Sequence, residues 1–151
     1  MALDRVRARR LANTVNLSTP LGLAVARLGG AGRVEGTGRP DGLLVASGYR
    51  RRLPRAAAFT VGDVVVTRLS AEQLVARPLL LQHEARHAAQ WACWLGLPFL
   101  PAYLAAAGWS LLRTGDPASR NAFERRAGLA AGGYRERPVH RIGRGGPRVG
   151  T

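Results

Sequence analysis

The chain has 151 residues, and its 23 basic residues, all arginine, outnumber the nine acidic ones to give a formal net charge of +14. The length fits one domain with a sizeable core, and an apolar content of 46% excludes a wholly disordered chain. The lack of lysine excludes a Walker A loop and a lysine Schiff base, and the single cysteine, Cys93, excludes a disulfide framework and a Cys-only zinc site.

The first part of the chain predicts two short helices followed by strands. Helices are indicated at residues 4–14 and 20–28. Short apolar and β-branched runs predict strands at 33–37, 43–49 and 59–68, with turn signals between them. Polar residues interrupt the N-terminal segment, which is therefore not typical of a secretory signal, and we expect a cytoplasmic protein.

The second part of the chain predicts helices that pack on a small antiparallel sheet. Ser70 and Gln73 have the spacing of a capping box, which opens a helix near 71–76. Further helices are predicted at about 78–95, 101–113 and 117–130. The expected fold class is therefore α+β, with its sheet region at about 31–68.

We expect one domain over residues 1–133. The Arg- and Gly-rich residues 134–151 are expected to be a disordered tail, or to become ordered only on a partner. The most apolar run, residues 97–112, is shorter than the ~20 residues that cross a bilayer, and prolines interrupt it. We therefore expect this run to form a buried helix and no part of the chain to span a membrane.

Residues 83–87 read His-Glu-Ala-Arg-His, an HExxH motif on a predicted helix. Side chains four residues apart share one helix face, so His83 and His87 can bind one metal ion, with zinc the typical choice. Glu84 is placed to act as the general base on water. With three histidines and five glutamates in the chain, chance would give only roughly 0.002 such matches, so the motif indicates a real site.

Such a site needs a third protein ligand. The extended metzincin pattern would put glycine at position 90 and histidine at position 93, where this chain has Gln90 and Cys93. Cys93 is expected to be a small buried apolar residue rather than a ligand. The remaining candidates are Asp116, Glu124, Glu136 and His140.

Glu124 is the favoured third ligand. A second helix that packs on the HExxH helix can deliver its carboxylate, whereas Asp116 has the position of a helix cap and the other candidates lie in the predicted tail. The alternative for Glu124 is an ordinary surface position, paired with Arg120 or Arg125.

Several other residues have candidate roles near the site. Tyr134 is a candidate oxyanion donor, with Tyr103 and His140 as alternatives. Gln90, one turn after His87, either hydrogen-bonds near the site or caps a buried contact. Trp91 and Trp94 are expected to be core residues.

The chain resembles the small zincin metallopeptidase-like domains of the gluzincin type. The resemblance covers about residues 58–128 and consists of an apolar strand at 59–66, an apolar lead-in to HExxHxxQ at 79–90, and a later ExxA at 124–127. Domains of this type occur in proteins associated with bacterial injection systems and as minimal gluzincins. The whole chain also resembles bacterial proteins of unassigned function that share its NLSTPLG and NxFERRAGL segments.

This resemblance implies a zincin-like fold in which His83, His87 and Glu124 bind zinc and Glu84 is the catalytic base. It also implies that the strand at 64–67 lies along the rim of the cleft and pairs with an extended peptide substrate.

The sequence departs from the family pattern at one position that bears on activity. The family often has an aspartate directly after the alanine of ExxA, where it binds a zinc histidine, and this chain has Gly128. Partners of this kind typically contribute 10- to 100-fold in metal affinity or activity. Asn121, one turn before Glu124, is the candidate substitute.

Three functions therefore compete. The first is a zinc-dependent endopeptidase or related amide hydrolase that acts on a protein or peptide. The second is a non-catalytic, zinc-stabilised interaction domain. The third is a binder of nucleic acid or of an anionic surface, which Arg50, Arg51, Arg52 and Arg55 and the Arg-rich tail favour, although no sequence-reading motif accompanies them.

Overall fold

A computed structural model describes residues 2–39 and 41–140. The described chain has four strands and six helices. In chain order they are α1 (Ala2–Val15), α2 (Ser18–Leu28), β1 (Arg33–Gly36), β2 (Leu44–Ser47), β3 (Ala58–Val61), β4 (Val64–Thr67), α3 (Ala71–Val75), α4 (Pro78–Cys93), α5 (Phe99–Thr114) and α6 (Ala122–Ala127). The predicted α+β class is confirmed. The predicted capping box of α3 is also present, formed by Ser70 and Gln73.

The sheet has the strand order β1-β2-β4-β3, and it is mixed rather than antiparallel. The outer pairs are antiparallel, but β2 and β4 run parallel, with Val45 opposite Val65. The prediction of an antiparallel sheet was therefore wrong for the central pair. The single strand predicted at 59–68 is a hairpin that turns at Gly62, whose φ is +61°. The hairpin places β4 in the centre of the sheet and leaves β3 at the edge.

Helices cover both faces of this sheet. Val65 points toward α3 and α4, where it packs with Leu74 and Leu81. Val64 and Val66 point to the opposite face, against Ala26 of α2. Because successive residues of a strand face opposite sides, three consecutive valines suit a strand that is buried on both faces.

The first two helices meet in a polar N-terminal corner, formed by Arg9, Asn13, Asn16, Ser18 and Asp63. Arg9 Nε lies 2.7 Å from Asp63 Oδ1 in an almost completely buried ion pair that ties α1 to the turn of the hairpin. Asn13 Nδ2 donates to the carbonyl of Ala88 on α4. Asn16 Oδ1 accepts from the backbone N–H of Ser18 as α2 begins. The corner therefore fastens α1 and α2 to both the sheet and α4.

The helix predicted at 117–130 is shorter in the structure. Asp116 Oδ1 accepts from the backbone N–H groups of Ala118 and Ser119, which makes residues 117–120 a capped turn. Helix α6 begins only after Asn121, and it ends at Gly128. A capped turn at 117–120 and the short helix α6 therefore replace the one long helix that was predicted. Glu124 lies in α6.

The first residues of the predicted tail, 134–140, are held on the surface of the domain. The backbone N–H of Arg137 donates to Ser119 Oγ, and that of His140 donates to the carbonyl of Arg113. The rest of the predicted disordered tail, residues 141–151, lies outside the described residues.

Helix α5 differs from its prediction as a buried helix, because one half of its surface faces solvent. Phe99, Ser110 and Thr114 are buried, whereas Leu104 and Leu112 are exposed. Among the described residues, no helix combines the length and the apolar character that crossing a bilayer requires.

Candidate metal centre

Helix α4 carries the HExxH motif on its inner face. Pro78 occupies the first turn, where the missing N–H is tolerated, and the helix continues without interruption to Cys93. His83, Glu84 and His87 are all buried between α4 and its neighbours. The side-chain Nε2 atoms of His83 and His87 are 3.0 Å apart, as the spacing of four residues predicts for one helix face.

Helix α6 brings Glu124 to these two histidines. Glu124 Oε2 lies 3.3 Å from His83 Nε2 and 3.6 Å from His87 Nε2, and the carboxylate is buried. These three residues, the metal cluster, have one ligand atom each within 4.8 Å of the others. The structure therefore places Glu124 with the motif, and the arginines that were its alternative partners, Arg120 and Arg125, bind Glu136 instead.

The Nδ1 atom of each histidine, on the side of the ring away from Glu124, has a hydrogen-bond partner. His83 Nδ1 lies 3.0 Å from the carbonyl oxygen of Gly128, and His87 Nδ1 lies 2.8 Å from Gln90 Oε1. Gln90 Nε2 donates to the carbonyl of Phe123, which leaves its oxygen facing His87. Because both partners are acceptors, the neutral form of each histidine carries its proton on Nδ1 and turns the lone pair of Nε2 toward Glu124.

The metal cluster therefore gathers three electron-pair donors around one point, and this arrangement fits a metal ion. Glu124 Oε2 is buried and has no hydrogen-bond partner. Tetrahedral zinc with bonds of about 2.0–2.1 Å would hold its ligand atoms about 3.3 Å apart, which the three observed separations bracket. A buried acceptor that faces two further acceptors is costly unless a cation lies between them.

Charges within the cluster shift the pKa values of Glu124 and His87 in opposite directions. Burial acts against the charged form of Glu124, but His83, His87 and Tyr103 outweigh it and hold the pKa of Glu124 below its usual range. Burial also acts against protonated His87, yet contact with Glu124 raises the pKa of His87 overall. The cluster thus keeps its carboxylate ionised and attracts positive charge, either as a proton on His87 or as a metal ion that would displace that proton.

Glu84 lies beside the metal cluster and outside its ligand set. Its Oε2 accepts a hydrogen bond of 2.6 Å from the hydroxyl of Thr60 on β3. Burial raises the pKa of Glu84 above its usual value, although His87 and the Thr60 hydroxyl act in the opposite direction. A carboxylate with a raised pKa is better suited to accept a proton near neutral pH.

Two tyrosines face the cluster, in different ways. The Tyr103 hydroxyl donates to Glu124 Oε1, so it orients the carboxylate and is not free for another acceptor. The Tyr134 ring lies 6.1 Å from the His83 ring, centroid to centroid, and lines the same cavity. Burial and the charges of Glu124 and Glu84 raise the pKa of the Tyr134 hydroxyl, which keeps it protonated.

Four of the other predicted positions lie elsewhere. Asn121 Oδ1 caps α6 by accepting from the backbone N–H of Phe123, and its buried Nδ2 has no partner. The Nδ1 atoms of the two histidines contact Gly128 and Gln90 rather than Asn121, the candidate substitute. Cys93 is exposed at the end of α4 and is not the buried residue expected. Asp116 caps a turn rather than the start of the predicted helix, and His140 lies against Gly115 at the end of α5.

Gly128 provides a partner for His83 through its backbone, although it lacks the carboxylate that the family pattern has at this position. Its φ is +95°, and a Cβ there would lie 2.7 Å from Arg86 Nη1, so an aspartate would be strained at this position. The backbone carbonyl of the same residue binds His83 Nδ1 instead. Arg86 fixes this geometry by donating to the adjacent carbonyl of Ala127.

The cluster opens into a cavity of about 340 Å³ between α4, α5 and the edge strand β3. Ala58, Phe59, Thr60 and Val61 form one wall, and Leu100 and Leu104 belong to the opposite side. The expected rim strand at 64–67 is instead the buried centre of the sheet, and β3 is the strand at the cleft. The error follows from treating residues 59–68 as one strand rather than a hairpin.

Sequence reasoning missed three contributors to the site: Thr60, Arg86 and the Gly128 carbonyl. Thr60 lay in a predicted strand with no signal that its hydroxyl faced α4. Arg86 occupied an unspecified position of HExxH. Backbone carbonyls carry no sequence signal, although a glycine directly after the helix was a hint of a positive φ.

Comparisons of the chain with family models, with curated proteins and with solved structures found no match. The resemblance to small zincins accordingly stays a prediction from the sequence, whereas the structure shows the α+β architecture and a buried group of His83, His87 and Glu124 that could bind a metal ion.

Proposed function

We propose that this protein is a zinc-dependent metallopeptidase, an endopeptidase or a related amide hydrolase. The observation that carries the proposal is the convergence of His83 Nε2, His87 Nε2 and Glu124 Oε2 on one buried point, with Glu84 alongside. Two histidines and a carboxylate are the ligand set of catalytic zinc sites that keep a position open for water or substrate.

Each residue has a distinct role in this proposal. His83, His87 and Glu124 hold the ion, and zinc bound there supplies Lewis-acid chemistry that polarises a carbonyl and activates water. Glu84 accepts the proton from the attacking water and passes it to the leaving amine. Thr60 fixes one oxygen of Glu84, and the Tyr134 hydroxyl donates to the oxyanion that forms on the carbonyl.

The proposed substrate is an extended peptide. The edge strand β3 lines the cavity, and an exposed sheet edge binds extended chains by adding a strand. The wall residues are mainly apolar, which favours apolar side chains beside the scissile bond. In β3, the carbonyl of Thr60 is already taken by Trp91 Nε1, so substrate pairing uses the remaining outward groups.

The non-catalytic, zinc-stabilised domain is the second candidate, and one observation favours it. A Cβ on Gly132 would lie only 2.7 Å from His83 Nε2, so the chain after α6 passes directly over one ligand. Close coverage of this kind narrows access to the ion.

The third candidate is a binder of nucleic acid or of an anionic surface. The depression lined by arginines at 50–55 is open to solvent, but Arg51 and Arg68 there donate to backbone carbonyls of the chain itself.

The first test is the metal content of dialysed protein, measured by mass spectrometry. We expect about one zinc per chain in the wild type and most of it lost in His83→Ala and Glu124→Ala. His140→Ala and Glu136→Ala are matched controls, since both residues lie away from the cluster, and they should retain the metal. A wild type that binds no divalent ion would rule out the proposal.

The second test separates an enzyme from a non-catalytic domain. Zinc-loaded protein is offered a peptide library and an unfolded protein, beside Glu84→Gln. The metallopeptidase proposal predicts cleavage by the wild type that a chelator stops, and loss of cleavage in Glu84→Gln at unchanged zinc content. Zinc binding without cleavage by the wild type would favour the non-catalytic domain.

A further inference from the structure

Helix α5 has a solvent-facing half made entirely of apolar residues. Its exposed residues are Leu100, Pro101, Leu104, Ala105, Gly108, Trp109, Leu111 and Leu112. At 100° per residue these positions form one continuous half of the helix surface. An exposed helix face without a polar residue is unusual, because surface helices normally turn charged and polar side chains to solvent.

The apolar surface extends beyond the helix. Leu95 and Leu97, which lead into α5, are exposed by 76% and 60%. From position 91 to 112 the chain has no charged residue, and its polar side chains, Tyr103 and Ser110, are not exposed. Contiguous apolar patches beyond a few hundred Å² mark binding surfaces on soluble proteins.

A basic depression borders this face at Trp109. The depression is lined by Trp109, Arg113, Arg120, Arg125 and Arg126, and Arg113 stacks over the Trp109 ring at 5.4 Å. Glu136 is the acidic partner there, bound to Arg120 and Arg125. The apolar face is thus flanked by a surplus of positive charge, with a tryptophan at the boundary.

We propose that the apolar face of α5 docks on an anionic lipid surface. A lipid surface supplies both an apolar layer for the leucines and negative headgroups for the arginines, and tryptophan favours the boundary between them. The helix lies in the plane of the interface. The side of the cavity that carries Leu100 and Leu104 belongs to this helix, so docking places the cavity mouth beside the lipid surface.

Charge and composition argue against two other occupants of the apolar face. A second copy of the chain would bring another net charge of +14 to the same basic border, which opposes self-association. Residues 141–151 have Ile142 and Val149 as their only large apolar residues, too few to cover the face. The lipid proposal does not depend on metal binding or on peptidase activity.

Flotation of the full-length protein with vesicles tests the proposal. Vesicles of phosphatidylcholine mixed with phosphatidylglycerol are compared with pure phosphatidylcholine at low and high salt. We expect binding to the anionic vesicles that weakens as salt rises, and at least about tenfold weaker binding for Leu112→Glu, which puts a charge into the docked face.

The matched control is Leu28→Glu in the last turn of α2, since Leu28 and Leu112 are exposed to a similar degree, 74% and 79%. Leu28→Glu adds the same charge away from α5 and should bind nearly as well as the wild type. An equal loss in both variants would overturn the proposal, as would equal binding to neutral vesicles. If the wild type is a dimer in solution without vesicles and Leu112→Glu is a monomer, the apolar face serves self-association instead.

Discussion

The N-terminal corner and the metal cluster are both buried and polar, but their hydrogen bonds are arranged in opposite ways. In the corner, donors mostly meet acceptors: Arg9 donates to Asp63, and the Ser18 hydroxyl contacts Asn13 and Asn16. The buried Nδ2 of Asn16 is the exception, because it has no hydrogen-bond partner. In the metal cluster, three acceptors meet one another, while the donors at the back of the histidines point away. Polar networks in which most donors are paired with acceptors stabilise a fold, whereas a group of convergent acceptors attracts a cation.

The largest expected change in stability comes from breaking the Arg9–Asp63 ion pair of the N-terminal corner. Asp63→Ala leaves the nearly buried Arg9 without its ionic partner. Removal of one member of a buried ion pair typically lowers the unfolding free energy by about 3–5 kcal/mol. Urea denaturation should show this loss equally with and without zinc. The exposed Glu35→Ala is the control and should stay within about 0.5 kcal/mol of the wild type. A loss that zinc restores would mean that the corner serves the metal site.

The reverse pattern is expected for Glu124→Gln. At zinc concentrations about a hundred times the dissociation constant, the wild type gains about 2.7 kcal/mol of unfolding free energy, and the variant gains little because it lacks the charged ligand. Thermal melts with and without zinc measure this difference. Glu136→Gln, with its carboxylate exposed, should keep the full gain. A variant stabilised as much as the wild type would exclude Glu124 as a ligand.

A smaller effect is expected from removing the side chain that holds His87 Nδ1. Gln90→Leu frees His87 Nδ1 and should weaken zinc binding by about 10- to 100-fold. Competition with a metal-sensitive dye measures the affinity. Gln82→Leu on the exposed face of the same helix is the matched control. Equal affinities in the two variants would show that Gln90 does not orient His87.

The smallest effect is expected from restoring the aspartate of the zincin pattern. Gly128→Asp should lower the unfolding free energy by about 1–2 kcal/mol, because the backbone there has a positive φ, and it should leave zinc affinity unchanged. Gly128→Ala should lose a similar amount, which would assign the loss to the backbone. Tighter zinc binding in Gly128→Asp would contradict the assignment of the backbone carbonyl as the partner of His83.

Local patterns predicted the elements well where a single helix or turn decided the outcome. The positions of α4 and of the capping box of α3 follow from Pro78 and from Ser70 with Gln73. The spacing of His83 and His87 fixes their shared face before any packing occurs. The predictions of an antiparallel sheet and a buried α5 failed because they depend on which segments meet in space. The prediction of one long glutamate helix failed because Asp116 caps a turn and Asn121 caps a separate, shorter helix.

The sequence by itself determined that two histidines share a helix face, that Glu84 stands between them along the chain, and that the fold mixes helices with a sheet. Only the tertiary structure decided that Glu124 Oε2 meets both imidazoles, that the Gly128 carbonyl fixes His83, and that half of α5 stays uncovered. The first set follows from backbone periodicity over a few residues. The contacts of Glu124 and Gly128 with the histidines join segments about forty residues apart in the sequence. The distance between those segments in space is set by side-chain packing, which no local pattern encodes.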